Sequence, residues 1–587
     1  MKSKVIKDRE DVERGKTMKV LGDWYTVGMG AIFAVCCALY GMYYEFCGAV
    51  MTVVLATLLG FSLLCNRTIF LKLNLGIIIS AVLLVFYSIA SVYAVDSGMA
   101  FLGIFKYSWI FLFLLCYGNL KQQDKERIVN SIPYIGMVMC LLGVFSFFVD
   151  ELYSVFYVND RLGGCFQYPN TFALFLLVGV IVLCREKKMN KSRIFVLLCL
   201  LSGIFLTGSR MVLVLTGGVI LFLIWTNRNQ ILLVCTIGIT LLAVGYFLLT
   251  KDVENIGRIT TFSLTDSSLV GRFLYIWDAV PLLLDHPFGL GHMGYYYMQN
   301  MIQSGVYTVQ YVHNDWLQIG LDVGLVPMLL CLFAVLKTLL DKRLHTSKKL
   351  IVAVIFLHGC LDFNLSYGVM LCILLMIMEG VTLQNVETES NKVIVLCGGR
   401  KIAMVVILAM AGIVSIYSLV PTVAYYNENA ELALQWYPWH TEAKLLLLSD
   451  SEDLEEVERL AEDIMKQNDT CALAYYAKAM VAYCEDDYEK VIQYQKGAIE
   501  RNYFSYEEYM NYAVMLYDGV MMSDNQEVRE QCISELNSIP QYMEMAMERL
   551  STMGGMINDQ PNLYMDEMLE SVLYEVNVQQ NDISNYR

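Results

Sequence analysis

Gly271-Arg272-Phe273-Leu274-Tyr275-Ile276-Trp277, His286-Pro287-Phe288-Gly289-Leu290-Gly291 and His313-Asn314-Asp315-Trp316-Leu317-Gln318 all fall in one polar excursion, Lys251 to Pro327, set between apolar runs. Structureless connections of that length usually bind, gate or catalyse. What flanks the excursion decides the fold class. The chain has 587 residues, 57% of them hydrophobic and 17% charged, with a mean hydropathy of +0.49. Soluble domains carry about 25% charged residues. The composition therefore describes a polytopic membrane protein with a soluble part attached.

A membrane-spanning helix needs about 20 apolar residues. Runs that meet or approach this fall near 25–46, 48–65, 74–95, 99–118, 132–149, 171–184, 193–208, 211–226, 230–249, 315–340, 349–364, 366–384 and 401–421. The expectation is an all-α, polytopic transmembrane helical bundle of about 12–13 spans, with a long external loop and a C-terminal helical-hairpin repeat domain. Lys and Arg in short loops mark the cytoplasmic side. The N-terminal tail carries Lys2, Lys4, Lys7, Arg9, Arg14, Lys16 and Lys19, and alternate loops carry groups such as Lys121, Lys125 and Arg127. The predicted order is a cytoplasmic tail over 1–24, transmembrane helices over 25–249, an external loop over 250–314, transmembrane helices over 315–421 and an extracytoplasmic domain over 422–587. The charged N-terminus runs into a full-length span, which does not read as a cleavable signal peptide. Localisation follows as the cytoplasmic (inner) membrane, multi-pass.

Charge is distributed unevenly. From Thr422 onward the net charge is −22, against +7 for the remainder. Such an acidic tail argues against a nucleic-acid partner and against docking on anionic lipid. The tail's hydrophobic pattern is helical, and it resembles a tetratricopeptide repeat. Leu454, Val457, Ile464 and Asn468 lie one 34-residue period before Tyr488, Val491, Ala498 and Asn502. A third hairpin is expected to begin near Tyr506. Stacked hairpins of this kind present a surface for a protein partner and do no chemistry themselves. The 17 cysteines sit mostly as single residues in apolar runs, without zinc-ligand spacing.

A few polar residues stand where hydrocarbon makes them costly. Arg210 follows Thr207-Gly208-Ser209 between two spans, and a guanidinium there could grip a diphosphate bidentately. A snorkelling interfacial arginine is the competing reading. Arg272 and Trp277 fall in a segment with helical spacing of Phe273, Ile276, Trp277 and Val280, which predicts a short amphipathic helix on the membrane. Pro287, Gly289 and Gly291 predict a tight turn. His313 opens the next span, where Asp315, Gln318 and Asp322 share a helix face. Histidine titrates near neutrality and can accept a proton from a hydroxyl. The alternative for this cluster is helix capping by Asn314 or Asp315. His286, His292 and His358 read as structural.

Taken together and in this order, these elements resemble the O-antigen ligase and polymerase family of bacterial membrane glycosyltransferases, over roughly residues 75–385. Ser209-Arg210, Arg272 with Trp277, Pro287, Gly289 and Gly291, and His313-Asn314 with Gln318, Asp322 and Gly324 match its pattern. So do Arg161-Leu162-Gly163-Gly164 and Pro169-Asn170. The resemblance implies transfer of a glycan from an undecaprenyl-diphosphate carrier to an acceptor hydroxyl on a glycan or lipid-linked acceptor, outside the cytoplasmic membrane. No carboxylate cluster resembling a divalent-ion site is evident in the outer loops, so a metal-independent reaction without a cofactor is expected. Arg210 and Arg272 would neutralise the leaving diphosphate, His313 would activate the acceptor, and Asp322 or Asp315 would hold the imidazole tautomer. Arg161, Asn170, Asn314, Asp315, Gln318 and Trp277 would bind substrate, and Tyr295, Tyr296 and Tyr297 would line the sugar path or form an aromatic belt. Protein O-glycosylation by the same family is an alternative acceptor chemistry. A lipid-linked oligosaccharide transporter or flippase is a different class, as is a scaffold. The transporter would show internally repeated, broken helices, which the sequence lacks.

Overall fold

The computed structural model describes residues 22–65, 69–186, 189–227, 232–238, 265–381, 393–396 and 398–585. Most of the expected N-terminal tail, much of the span at 230–249 and the start of the long loop, with Lys251 and Arg258, lie outside the described residues. The protein is an all-α polytopic bundle. Among the described residues, six helices are long and apolar enough to cross a membrane: Glu45–Cys65, Leu75–Tyr93, Ser97–Gly118, Gln122–Ser146, Ser267–Asp285 and Gly398–Tyr426. Tyr25–Ala38, Pro169–Leu183, Arg210–Thr226, Leu325–Leu340 and Gly368–Met378 are apolar but shorter.

Two compact units divide the chain. The first comprises 1–85, 105–262 and 329–419; the second comprises 86–104, 263–328 and 420–587. In the first, Pro169–Leu183 is central, and every one of its residues is buried. A helix apolar all round is stable only when enclosed. Its neighbours Gln122–Ser146, Lys191–Leu206, Thr346–His358 and Arg210–Asn227 supply that enclosure. At about 1.5 Å per residue, a 15-residue helix falls short of the hydrocarbon thickness. Enclosure by protein makes that length tolerable. Gly368–Met378 is likewise buried throughout.

The second unit contains the helices Gly294–Ile302 and Asp315–Val323 and the C-terminal helices. The single span expected over 315–340 is instead two helices, Asp315–Val323 and Leu325–Leu340, separated at Gly324, whose φ is +95°. The break has a steric cause. The turn Pro287–Gly291 lies against it, with Leu290 N donating to Leu321 O (2.6 Å), Gly291 N to Asp322 O (3.0 Å) and Leu325 N to Pro287 O (2.9 Å). A Cβ on Gly324 would sit 2.7 Å from the Phe288 carbonyl carbon, and one on Gly289 (φ +92°) 2.7 Å from Asp322 O. The two glycines let the backbones interlock.

In the tail, Leu454–Gln467 and Tyr488–Arg501 are both 14 residues long and begin 34 residues apart. Each starts at an aspartate N-cap, Asp453 and Asp487, whose side chains accept from Glu455 N and Lys490 N. The partner helices Ala472–Cys484 and Tyr506–Met522 begin at the same spacing. Consecutive helices pack in chain order, so small residues such as Ala474, Ala479, Ala482, Ala498 and Ala513 are buried where axes approach.

Candidate functional site

The candidate residues fall in two groups, one in each unit. In the first unit, Tyr157–Val158 pairs with Arg161–Leu162 in a two-residue hairpin whose turn residues, Asn159 and Asp160, both have positive φ. That is the turn geometry that matches strand twist. The hairpin delivers Arg161. Its Nε donates to Thr207 O (2.8 Å) and its Nη2 to Asn170 Oδ1 (2.8 Å). Asn170, fixed in the first turn of the central helix, donates through Nδ2 to Asp362 Oδ2 (2.9 Å). Tyr168 donates its hydroxyl to Asp362 Oδ1 (2.8 Å). Arg161 and Asn170 are thus brought together with the Thr207-Gly208-Ser209 turn, directly before Arg210, the first residue of its helix.

Asp362 and Tyr168 were not among the sequence candidates. Asp362 is fully buried, and it stands between two apolar runs in Leu361-Asp362-Phe363-Asn364. An ionisable residue in that setting is a signal in its own right. Its neighbour Asn364 is also structural: Oδ1 lies 3.0 Å from His358 Nδ1 and accepts from Thr171 Oγ1 at 3.1 Å.

In the second unit, His313 has φ +55°, and the residue after it is the N-cap of Asp315–Val323. The Asn314 side chain accepts from Trp316 N (3.1 Å) and Leu317 N (3.0 Å). Capping therefore accounts for Asn314. Left-handed backbone at a non-glycine residue is uncommon, and histidine tolerates it better than most. Here it turns the chain into the helix. His313 Nδ1 lies 3.0 Å from Tyr311 O. A carbonyl can only accept, so the proton sits on Nδ1 and Nε2 is the basic nitrogen of the neutral ring. The expected holder of the imidazole was a carboxylate, Asp322 or Asp315; at Nδ1 the neighbour is the backbone carbonyl of Tyr311.

Asp322, only 1% exposed, is held instead by Gln318 Nε2, which donates to Oδ1 (2.8 Å), and by the Tyr87 hydroxyl, which donates to Oδ2 (2.8 Å). Gln318 Oε1 accepts from Val312 N (2.9 Å), tying this buried pair to the residue before His313. Asp315 is buried as well. The polar face read from the sequence is real, and it points into protein.

Arg272 lies in the helix Ser267–Asp285, which buries Val270, Leu274, Asp278, Ala279 and Leu282 and exposes Phe273, Trp277, Val280 and Leu284. Trp277 is 67% exposed on that outer apolar stripe. The Tyr275 ring connects this helix to His313, with centroids 5.5 Å apart and planes at 53°. Tyr275 also packs on Tyr307 at 4.5 Å. Burial pushes the Tyr307 phenol well above its ordinary range, so it stays protonated and donates to Asp278 Oδ2 at 2.9 Å. The expected role of Tyr295 and Tyr297 is not met. Tyr295 is fully buried in the core, and Tyr297 is buried with its hydroxyl donating to Glu442 Oε1 at 2.6 Å. Neither can serve as a belt or as an open sugar path. Among the described residues, no three His, Cys, Asp or Glu side chains are grouped to hold a metal ion.

Residues 195–332 match the family model described as O-antigen ligase. No curated protein and no solved structure matches the chain. The matched stretch contains Arg210, Arg272, His313 and Asp322. It supports a multi-pass membrane protein that transfers glycosyl groups in polysaccharide assembly.

Proposed function

We propose that this chain, whose residues 195–332 match the O-antigen ligase family model, moves a glycan from an undecaprenyl-diphosphate carrier to an acceptor hydroxyl on the outer side of the cytoplasmic membrane. The observation that carries the reading is the His313 imidazole. Its Nδ1 is committed to the Tyr311 carbonyl, which makes Nε2 the proton acceptor. In the proposed step Nε2 takes the acceptor's hydroxyl proton as that oxygen attacks the anomeric carbon with inversion. The bond from that carbon to the diphosphate oxygen breaks, and the lipid diphosphate leaves with the electron pair. Arg272 stabilises the charge that develops on it, as fixed cations do at developing anions; for Arg210 a role as diphosphate ligand, and for Arg161 and Asn170 contact with the sugar, rest on the family resemblance alone. Asp322 and Gln318 keep the His313 helix in place. Asp315 and Asn314 set its first turn, and Trp277 anchors the Arg272 helix. The C-terminal helices, read as tetratricopeptide-like and extracytoplasmic, recruit a protein partner or acceptor.

The test is transfer by the purified protein in nanodiscs, given a lipid-diphosphate-linked oligosaccharide and a panel of glycan, lipid-linked and protein acceptors. A new glycosidic linkage with release of lipid diphosphate, lost in His313→Ala and in Arg272→Ala, is the expected outcome. A donor that only changes leaflet, with no product on any acceptor, would replace this reading with transport.

A further inference from the structure

A segment far outside the matched family region is built into the neighbourhood of His313. After the helix Gln526–Glu548, the chain runs from Ser551 to Gln560 against the helix Ser267–Asp285 and the loop that leads to His313. Ser551 N donates to Ser304 O (2.8 Å), and the Ser551 hydroxyl lies 3.0 Å from the same oxygen and 3.1 Å from Ser304 Oγ. Ser304 in turn donates from N (2.8 Å) and from Oγ (2.6 Å) to Asp278. Asn558 N donates to Ser267 Oγ (2.9 Å). A Cβ on Gly305 would lie 2.6 Å from Gly554 Cα, so the two backbones touch. Ile557 is buried in one cluster with Val270, Leu274 and Tyr307, and Tyr275 packs against that cluster. Tyr275 is the ring that meets His313. Arg272 and Asp559 both act electrostatically on it.

We propose that Ser551–Gln560 is a working part of the His313 site, with Ile557 holding Tyr275 and Tyr307 in place and Tyr275 acting as a positioning residue for the imidazole. The loop from 303 to 313 has no helical ladder of its own, so its conformation depends on the groups that grip it. Two of those grips, Asp278 and Ser551, meet at Ser304. Ile557 closes the apolar side of the same cluster. Its removal leaves Tyr307 and Tyr275 room to change rotamer, and the imidazole loses the ring that sets its orientation. A misplacement of about 1 Å at a reacting group costs on the order of a hundredfold in rate. The C-terminal region is on this account a component of the reaction centre as well as a partner-binding surface.

The inference rests on the transferase reading for its kinetic test, and a second readout is independent of activity. In the full chain in nanodiscs, Ile557→Ala and Tyr275→Leu should each lower kcat about ten- to a hundredfold with KM within about twofold. Tyr275→Phe should recover most of what Tyr275→Leu loses, and the pH–rate profile of Tyr275→Leu should shift. Met522→Ala, an exposed change on the tail helices, is the surface control. Hydrogen exchange over 303–316 should rise in Ile557→Ala even if no acceptor is found. Wild-type transfer with an unchanged kcat and pH profile in Tyr275→Leu would overturn the proposal, as would unchanged exchange over 303–316 in Ile557→Ala. Absence of transfer by wild type together with faster exchange would count against the transferase reading alone.

Discussion

Tyr87 donates its hydroxyl to Asp322 Oδ2 at 2.8 Å, joining residues 235 positions apart in sequence. Gln318 takes the other carboxylate oxygen, so a buried charge at the broken helix end is matched on both sides. A hydrogen bond to a charged group contributes about 1.5–3 kcal/mol, and stranding its buried partners costs more. Tyr87→Phe should therefore lower stability by about 2 kcal/mol and Asp322→Ala by about 3 kcal/mol or more. The two losses should be non-additive in a double-mutant cycle followed by thermal unfolding in detergent.

Gly324 and Gly289 should be intolerant of any side chain. Both have φ near +90°, and each Cβ would strike backbone of the opposing strand of chain at 2.7 Å. Gly324→Ala should cost about 2 kcal/mol or more in stability. It should also reduce transfer, because the His313 helix ends at that residue. Melting temperature and activity measured on the same preparation check this.

Asp362 should behave as part of the Arg161 cluster although it bears no resemblance-derived role. Asp362→Ala removes the acceptor for Asn170 Nδ2 and for the Tyr168 hydroxyl. The expected result is an activity loss comparable to that of Arg161→Ala, on the order of tenfold or greater, with the double variant little worse than either alone. Arg161→Lys should not rescue, since an ammonium cannot reproduce the fork that reaches Thr207 O and Asn170 Oδ1 together. Additive losses in the kinetic cycle would refute the coupling.

Glu508 makes the tail sensitive to pH. Burial pushes its carboxyl up to about 7, with Glu507 adding to the rise and a hydrogen bond from Gln495 opposing it. Below the ordinary carboxyl range, both the folded and unfolded forms are protonated, and the stabilising contribution is complete. As pH rises from about 4.5 to about 7 the unfolded chain ionises first, so stability falls and stays low above 7. The loss is on the order of 3 kcal/mol. The opening free energy over 488–522, from hydrogen exchange corrected for its base-catalysed intrinsic rate, should fall between pH 5 and pH 8 in wild type, and Glu508→Gln should flatten that dependence.

Local sequence determined a large part of this protein. Apolar runs set the spans, because a helix in hydrocarbon must satisfy its own backbone and clothe it in apolar side chains. The cap at Asn314, the glycine turn at 287–291 and the 34-residue spacing of the tail helices are also local, since each depends on residues within one or two turns. The His313, Gln318 and Asp322 face was legible for the same reason. What tertiary structure alone decided are the partners. Asp362 reaches Asn170 across 192 residues, Tyr87 reaches Asp322, and Ser551 reaches Ser304 across 247. No periodicity links such positions, because they are chosen by which surfaces pack. The same holds for the break at Gly324: a continuous apolar pattern predicts one span over 315–340, and the chain is interrupted there because the 287–291 turn occupies the space the helix would need.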